Sequence, residues 1–416
     1  MDNQRASIAM AVVLILVIFV IGGITWINYQ YATQNQDMNK FVPRWKGTRL
    51  FMIEGLNPYS QETTNEVEQM VYGRSARSNE ETGLFVYPFY SILLYAPFAL
   101  FSEYNVAFSL WMTVLELALA ALIVVSLLLS DWRPSVLLIM ILFVYTFLWY
   151  HALRPLISGN ISILIALFIT AAFLAIQSEL DVFAGFLLAL ASIKPQMVLV
   201  VYIFISIWAI SKGRWTIIWG LIGSLFFMAA AGSLFVQNWV IEYIRQLIRY
   251  SEVIFISTPG SIISHWLPGV GTQTGWILTG VMVALLLIEW RACLGQDSRW
   301  FIWTAMLTLV ASSVIGVYIT LENYIMLYPA MILILSIWDK RWGLLGKWLM
   351  MLFFLLTSIG IWWLLLSGVQ RGIQPDLNPI IYLFTPLILV IGLYWIRWWL
   401  INPVRMPLEE LSDYLG

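Results

Sequence analysis

An apolar run from about Ser7 to Asn28 is followed by a polar stretch reaching about Phe85, after which nearly everything that remains is hydrophobic. That order, one apolar segment, one long charged segment and then many apolar segments, leaves few folds open. A run of about 20 apolar residues is long enough to cross the hydrocarbon core of a bilayer. No water is available there to the backbone, and a helix satisfies its own hydrogen bonds segment by segment. The long charged segment is the exception among short connections, and ordering it costs conformational entropy that only contacts can offset. Chemistry is therefore sought there first.

Charged residues make up 11% of the chain, against about a quarter in a soluble globular domain, so the chain reads as an all-α polytopic membrane protein. Its 22 Trp and 19 Tyr suit a protein with many membrane–water boundaries, where amphipathic rings settle at headgroup depth. The net charge of −1 gives no pointer to nucleic acid or to any other charged partner. Met1 to Arg5 precede the first run without a small-residue cleavage site, so that run reads as an uncleaved signal anchor. The single Cys293 rules out an internal disulfide and a cysteine metal cluster, and His151 and His265 are the only histidines, so a histidine zinc site is not expected.

Hydropathy predicts about twelve spans of roughly 20 residues, some shorter. They lie near 7–27, 86–101, 104–129, 134–150, 159–177, 182–210, 215–235, 276–291, 300–320, 322–338, 347–367 and 380–400. With the N-terminus cytoplasmic, alternate connections place Arg5, Arg154, Lys212, Arg214, Arg291, Arg299, Lys340, Arg341, Lys347, Arg397 and Arg405 inside. The short outer connections then hold only Arg133 and Arg371, the asymmetry expected of positive-inside topology. Both termini are expected in the cytoplasm of a plasma (inner) membrane protein. The division is a signal-anchor helix at 1–27, an outer catalytic loop at 28–85, a transmembrane core at 86–235, a second outer segment at 236–275, and C-terminal helices with a short tail at 276–416.

The outer loop carries Lys40, Arg44, Lys46, Arg49, Arg74 and Arg77 against Asp37, Glu54, Glu62, Glu66, Glu68, Glu80 and Glu81, a balance unlike that of a polybasic lipid anchor. Trp45 to Glu54 is expected to form a short amphipathic helix on the membrane. Gly55-Leu56-Asn57-Pro58-Tyr59 ends it, with Gly in the left-handed cap and Pro unable to continue. Glu62 to Val71 is expected to form a second short helix.

Asp37 stands near the membrane exit with Lys40, Arg44, Lys46 and Arg49 downstream. A carboxylate beside cations suits a general base acting while the cations stabilise an anionic leaving group; the plainer alternative is a solvated charged loop. Lys194 lies inside the apolar stretch 182–210, where inserting a lysine costs on the order of 2.5 to 3.5 kcal/mol. Pro195 removes a backbone donor, so Ile193-Lys194-Pro195-Gln196 is expected to break the helix and face a cavity that suits a phosphate. The alternative is a shallower lysine that snorkels. Arg154-Pro155 and Gly159-Asn160 fit a short turn lining the same cavity, or a cytoplasmic positive-inside residue followed by a loop. Glu322 and Asn323 begin a span, and His265 follows Ser257-Thr258-Pro259-Gly260-Ser261 as a phosphate-binding or acid/base group, or as one that only hydrogen-bonds locally. Glu116 and Glu289 are further acids in apolar surroundings, Glu289 close to Arg291 and Glu116 with no partner visible in the sequence.

Taken in order, the first helix, Gly55-Leu56-Asn57-Pro58-Tyr59, Tyr87-Pro88-Phe89 with Pro97, Arg154-Pro155 with Gly159-Asn160, and Ala184-Gly185 leading to Ile193-Lys194-Pro195 resemble glycosyltransferase family 87 over roughly residues 35 to 215. The resemblance implies a bundle of GT-C type, a polyprenyl-phosphate sugar as donor, and an inverting transfer of a mannose-like hexose or a pentose to a lipid, glycan or protein acceptor on the outer face. It implies an acid early in the outer loop, at a place this chain fills with lysine: the family's Asn-Asp-Phe pattern aligns with Asn39-Lys40-Phe41. Asn160 likewise stands where the family more usually has glutamine. The catalytic candidates are therefore Asp37, Glu54 and Glu322. The donor-phosphate candidates are Lys194, Arg154, Lys40, Arg44 and His265, and the cavity-lining candidates are Tyr59, Tyr87, Asn160, Gln196 and Asn323. No cofactor is required beyond the donor, and a divalent metal is optional. Membrane lipids, the donor and the acceptor are the expected partners, and the oligomeric state is open. A transporter or flippase of a lipid-linked substrate, or a non-catalytic homologue that binds lipid-linked sugar, are the alternatives; the lysine at the acid position speaks for the last.

Overall fold

The computed structural model describes residues 2–35, 39–77, 80–253, 258–315, 320–370 and 378–402, and among these the regular structure is helical. The chain forms two compact units. Unit 1 is made of Met1–Leu119, Arg154–Ile161 and Phe226–Phe255, and unit 2 of Ala120–Leu153, Ser162–Leu225 and Ile256–Gly416.

In chain order the helices are α1 (Asp2–Gln34), α2 (Val42–Glu54), α3 (Gln61–Tyr72), α4 (Ile92–Ala99), α5 (Tyr104–Leu129), α6 (Val136–Leu148), α7 (Tyr150–Ile157), α8 (Ser162–Gln177) and α9 (Asp181–Ala191). They continue with α10 (Pro195–Ser211), α11 (Trp215–Phe235), α12 (Trp239–Val253), α13 (Pro259–Ser264), α14 (Gly271–Cys293), α15 (Ser298–Ser312), α16 (Tyr328–Phe354), α17 (Ile361–Gln370) and α18 (Pro379–Ile401). Among the described residues six helical stretches are long and apolar enough to cross a membrane, or seven if α6 and α7, bent by 54° at Trp149, form one span. Shorter apolar helices cover Phe89–Ala99, Ser162–Gln177, Asp181–Ala191 and Pro195–Ser211. The chain is thus an all-helical, multi-pass membrane protein.

The predicted span 182–210 is two helices, because Lys194 leaves helical geometry (φ −121°, ψ 80°) and Pro195 starts α10, a position where its missing N–H costs nothing. The stretch 321–368 is broken inside α16 at Gly343 (φ 50°), where the chain turns back so tightly that a Cβ on Gly346 would sit 2.1 Å from the Trp338 carbonyl oxygen. In unit 2, α8 packs along α9, and α15 packs against α10, α14 and α18. Helices α9 and α11 cross at Gly185, where a Cβ would stand 2.5 Å from the Leu221 backbone nitrogen; small residues let membrane helices approach this closely.

In unit 1 the two expected helices of the polar loop form, α2 starting three residues earlier than predicted and α3 close to its predicted ends. Helix α2 stops at Gly55 (φ 69°), whose N–H donates to the Phe51 carbonyl. Val42, Arg44, Trp45, Gly47, Thr48 and Leu50 are buried around every side of its first turns, so α2 packs inside the unit rather than presenting a single apolar face. Helix α3 is sided: Ser60 caps it by accepting from the Thr63 N–H, and Thr63, Thr64, Val67 and Glu68 form its buried face. Within the first span and its neighbour α5, Asn28 donates to Thr113 and to Glu116 (2.9 Å), which gives Glu116 the partner the sequence did not reveal.

Candidate active site

Asn39-Lys40-Phe41 opens the polar loop, and each residue has a separate task. The Asn39 side-chain oxygen accepts from the Phe41 and Val42 N–H groups, satisfying donors at the start of α2. Phe41 is fully buried among Tyr95, Phe98, Tyr104, Phe108 and Trp111. Lys40 donates its backbone N–H to the Ser158 carbonyl (2.9 Å) and its Nζ to Glu81 Oε1 (2.5 Å) and the Tyr250 hydroxyl (3.4 Å).

One turn further, Arg44 is 5% exposed. Its guanidinium carbon lies 4.4 Å from the centre of the Tyr87 ring, and its buried Nε has no hydrogen-bond partner. Burial works against this charge, but Tyr87, Tyr250, Tyr95 and Glu81 outweigh it and hold the pKa above the usual arginine value. A cation stacked on a ring face and short of acceptors is built to receive an anion.

The turn after α7 meets this group from another part of the chain. Gly159 has φ +66°, and a Cβ there would lie 2.8 Å from Phe108 and 2.9 Å from Phe41. Only glycine both adopts that conformation without cost and fits. Its carbonyl accepts from the Trp111 Nε1–H at 2.9 Å, and the N–H of the buried Asn160 closes back to Pro155 O at 2.8 Å. Arg154 is half-buried in the last turn of α7, just before Gly159 and Asn160.

Gly55-Leu56-Asn57-Pro58-Tyr59 is a clamp as well as a helix stop. Asn57 accepts from the Tyr59 N–H and donates to Glu242 Oε2 at 2.6 Å. The Tyr59 hydroxyl donates to Tyr87 O at 2.7 Å, while the Tyr59 carbonyl accepts from Gln246 Nε2 at 2.7 Å. Burial raises the Tyr59 pKa, so the phenol stays a donor. Glu242, Gln246 and Tyr250 recur every four residues, so one face of α12 holds the motif and reaches Lys40. Sequence reasoning missed this face, although its spacing was visible, because the partners lie far away in the chain. It also missed Glu81, whose carboxylate the fold sets on Lys40.

Unit 2 holds the second cationic centre. Lys194 is 5% exposed and donates Nζ to Ser162 Oγ (2.7 Å) and Asn323 Oδ1 (2.5 Å); Ser162 Oγ in turn donates to Asn323 Oδ1 at 2.9 Å. The Asn323 Nδ2 is buried without an acceptor. Asn323 and the buried Glu322 lie on a tight helical segment, Leu321–Leu327, that is buried throughout. His151 is fully buried nearby in sequence space to neither, yet its ring bonds Leu321 O at 3.1 Å and Thr385 Oγ1 at 3.2 Å, fixing the start of that segment.

Gln196 is half-buried in the first turn of α10, Glu54 is exposed at the end of α2, and His265 is exposed at the end of α13. Asp37 lies outside the described residues. Among the described residues no group of three or more His, Cys, Asp or Glu side chains is placed to hold a metal ion.

A family model described as Glycosyltransferase family 87 matches residues 85–313. That span includes Tyr87, Arg154, Asn160, Lys194, Gln196 and His265, starts after Lys40, Arg44 and Tyr59, and ends before Glu322. No curated protein and no solved structure matches the chain.

Proposed function

The chain belongs to glycosyltransferase family 87, and on that premise we propose that it moves a hexose or pentose from a polyprenyl-phosphate donor to a lipid, glycan or protein acceptor at the outer face of the plasma membrane. The observation that carries the reading is Arg44: a buried cation, stacked on Tyr87, with a guanidinium nitrogen that no protein acceptor satisfies. A lipid-phosphate donor brings its own anchor, so the protein must supply a groove for the chain, cations for the phosphate and a base for the incoming hydroxyl. In this scheme Arg44, Lys40 and Arg154 are the phosphate cations of unit 1 and Lys194 is the phosphate candidate of unit 2, and the helices form a bundle of GT-C type with both termini in the cytoplasm.

The step is a single displacement. The acceptor oxygen bonds to the anomeric carbon as the bond from that carbon to the donor's phosphate oxygen breaks. The acceptor's proton passes to a carboxylate, polyprenyl phosphate leaves as the anion on the cations, and the anomeric configuration inverts. Side-chain cations carry the developing charge, so the scheme calls for no divalent metal. The base is a carboxylate of the outer loop: Asp37 stands beside the motif in sequence, and Glu81 stands on Lys40 in space. The lysine within Asn39-Lys40-Phe41 favours one competing reading, a homologue that binds lipid-linked sugar without transferring it.

A transfer assay on purified protein in nanodiscs separates these readings, using radiolabelled polyprenyl-phosphate sugars, membrane lipid extract as acceptor, and the variants Asp37→Asn and Glu81→Gln beside wild type. Label entering a new product with wild type, and lost in one of the two variants, supports the transferase and identifies its base. Donor binding without product in wild type overturns the transferase in favour of the binding homologue.

A further inference from the structure

At the other end of unit 2 from Lys194 lies a cavity of about 510 Å³. Helix α8 connects the two places: it starts at Ser162, bonded to Lys194, and ends at Gln177 on the cavity wall, about 24 Å along a helix of 16 residues. The wall carries three cations, Arg299, Lys340 and Arg341, against one carboxylate, Asp131, an excess of two positive charges.

The three cations are not equivalent. Lys340 is committed to the wall, donating to Asp131 O (2.6 Å) and Ser130 O (3.4 Å). Arg341 lies 6.0 Å from the centre of the Trp399 ring, and neither it nor Arg299 has a hydrogen-bond or ion-pair partner among the described residues. A neighbouring cavity of about 310 Å³ provides a contrast, because its cations are spoken for: Arg214 pairs with Asp181, and Lys212 donates to Gly295 O. The arginines at the first cavity therefore keep their planar donor forks for an outside acceptor, the geometry that suits a phosphate.

The rest of the lining is apolar. Leu333, Ile337 and Leu400 face it beside Trp399, whose ring packs edge-on against Trp342. A charged mouth over an apolar wall, framed by tryptophans at the ends of long apolar helices, matches a phospholipid at headgroup depth better than a free ion. We propose that this cavity binds the phosphodiester headgroup of an anionic membrane phospholipid, with Arg299 and Arg341 on the phosphate and the Leu333–Ile337 wall against an acyl chain. The proposal stands independently of the transfer reaction, and none of its residues belongs to the candidate active site.

Native mass spectrometry of the full-length protein tests it, with dioleoyl phosphatidylglycerol, dioleoyl phosphatidylcholine or inorganic phosphate added to the wild type and to an Arg299→Gln/Arg341→Gln variant. Wild type should retain phosphatidylglycerol in clear preference to phosphatidylcholine, and the double variant should lose affinity for it by roughly thirtyfold, as two interfacial cations warrant. The variant's elution as the wild-type species on size exclusion guards against misfolding, and the single variant Arg299→Gln, at an exposed position, should show an intermediate loss. Equal retention of the two lipids by wild type, or unchanged phosphatidylglycerol binding in both variants, would overturn the proposal. Displacement of the lipid by millimolar phosphate would overturn it too, by assigning the cavity to the free ion.

Discussion

The Arg44 guanidinium carbon sits 4.4 Å from the centre of the Tyr87 ring, inside unit 1 and out of reach of any hydrogen-bond acceptor for its Nε. The residue comes from the polar loop and the ring from the segment leading into α4, so the contact joins the loop to the first residues of the family match. Removing the cation ends its desolvation cost but also its attraction to Tyr87 and Glu81, which outweighs that cost. Arg44→Met should therefore lower thermal stability modestly, while donor affinity falls by about thirtyfold or more, the cost of about 2 kcal/mol or above for truncating one partner of a buried charge pair. Thermal unfolding and donor titration on the same nanodisc preparation check both halves.

Lys194→Met tests the second buried cation. Lys194 Nζ donates to Ser162 and Asn323, so its loss removes two charge-assisted hydrogen bonds, although Asn323 Oδ1 keeps the Ser162 hydroxyl as a donor. Hydrogen bonds to a charged group are worth about 1.5 to 3 kcal/mol each. The variant is expected to lose both donor affinity and melting temperature, and unchanged affinity in a protein that is only less stable would remove Lys194 from the phosphate site.

Gly159→Ala tests the turn behind Lys40. The new Cβ would meet Phe108 at 2.8 Å and Phe41 at 2.9 Å in a left-handed conformation. Backbone strain alone costs on the order of 1 to 3 kcal/mol, and the Phe41 platform must also shift. Reduced thermal stability together with reduced transfer is expected. Wild-type behaviour in both would show that the turn is not as tightly packed as described.

The Glu80 carboxyl accepts two hydrogen bonds from Arg74 (2.7 and 2.8 Å) and one from the Arg77 N–H (2.9 Å), and the Arg74 guanidinium holds its pKa at about 2 instead of the usual 4.5. A carboxyl lowered in this way favours the folded loop at every pH above 4.5, and that contribution fades as pH falls from 4.5 through about 2. A carbon-13 titration of labelled Glu80 should show its midpoint near 2 in wild type and shifted upward in Arg74→Ala, short of the ordinary carboxylate value because the Arg77 N–H still bonds it. Coincident midpoints would show that the pair does not form in solution.

Sequence patterning located the helices wherever an apolar run had sharp ends. The predicted spans 104–129 and 215–235 coincide with α5 and α11 because polar or turn-forming residues bound both. The break at Lys194 was legible too, since proline chemistry is local. What could not be read were pairings made across long separations: Glu81 on Lys40, Glu242 and Gln246 on the Asn57–Tyr59 motif, and Asn28 on Glu116. Helix α12 lies in the expected second outer segment, where Glu242, Arg245, Gln246 and Arg249 interrupt its apolar residues, and the partners of Glu242 and Gln246 account for part of that pattern. Arg44 is among the donor-phosphate candidates read from the sequence, but its burial depends on aromatic rings contributed by Tyr87 and Tyr95, which no local pattern connects to it.

The central claim is that the sugar arrives on a polyprenyl phosphate. Mass spectrometry of the lipids after turnover tests it most directly, with purified protein and acceptor offered either a polyprenyl-phosphate sugar or the corresponding nucleotide sugar. Free polyprenyl phosphate appearing in step with glycosylated product, and no product from the nucleotide sugar, is the predicted result. Product formed from the nucleotide sugar while the polyprenyl-phosphate sugar stays intact would contradict the account.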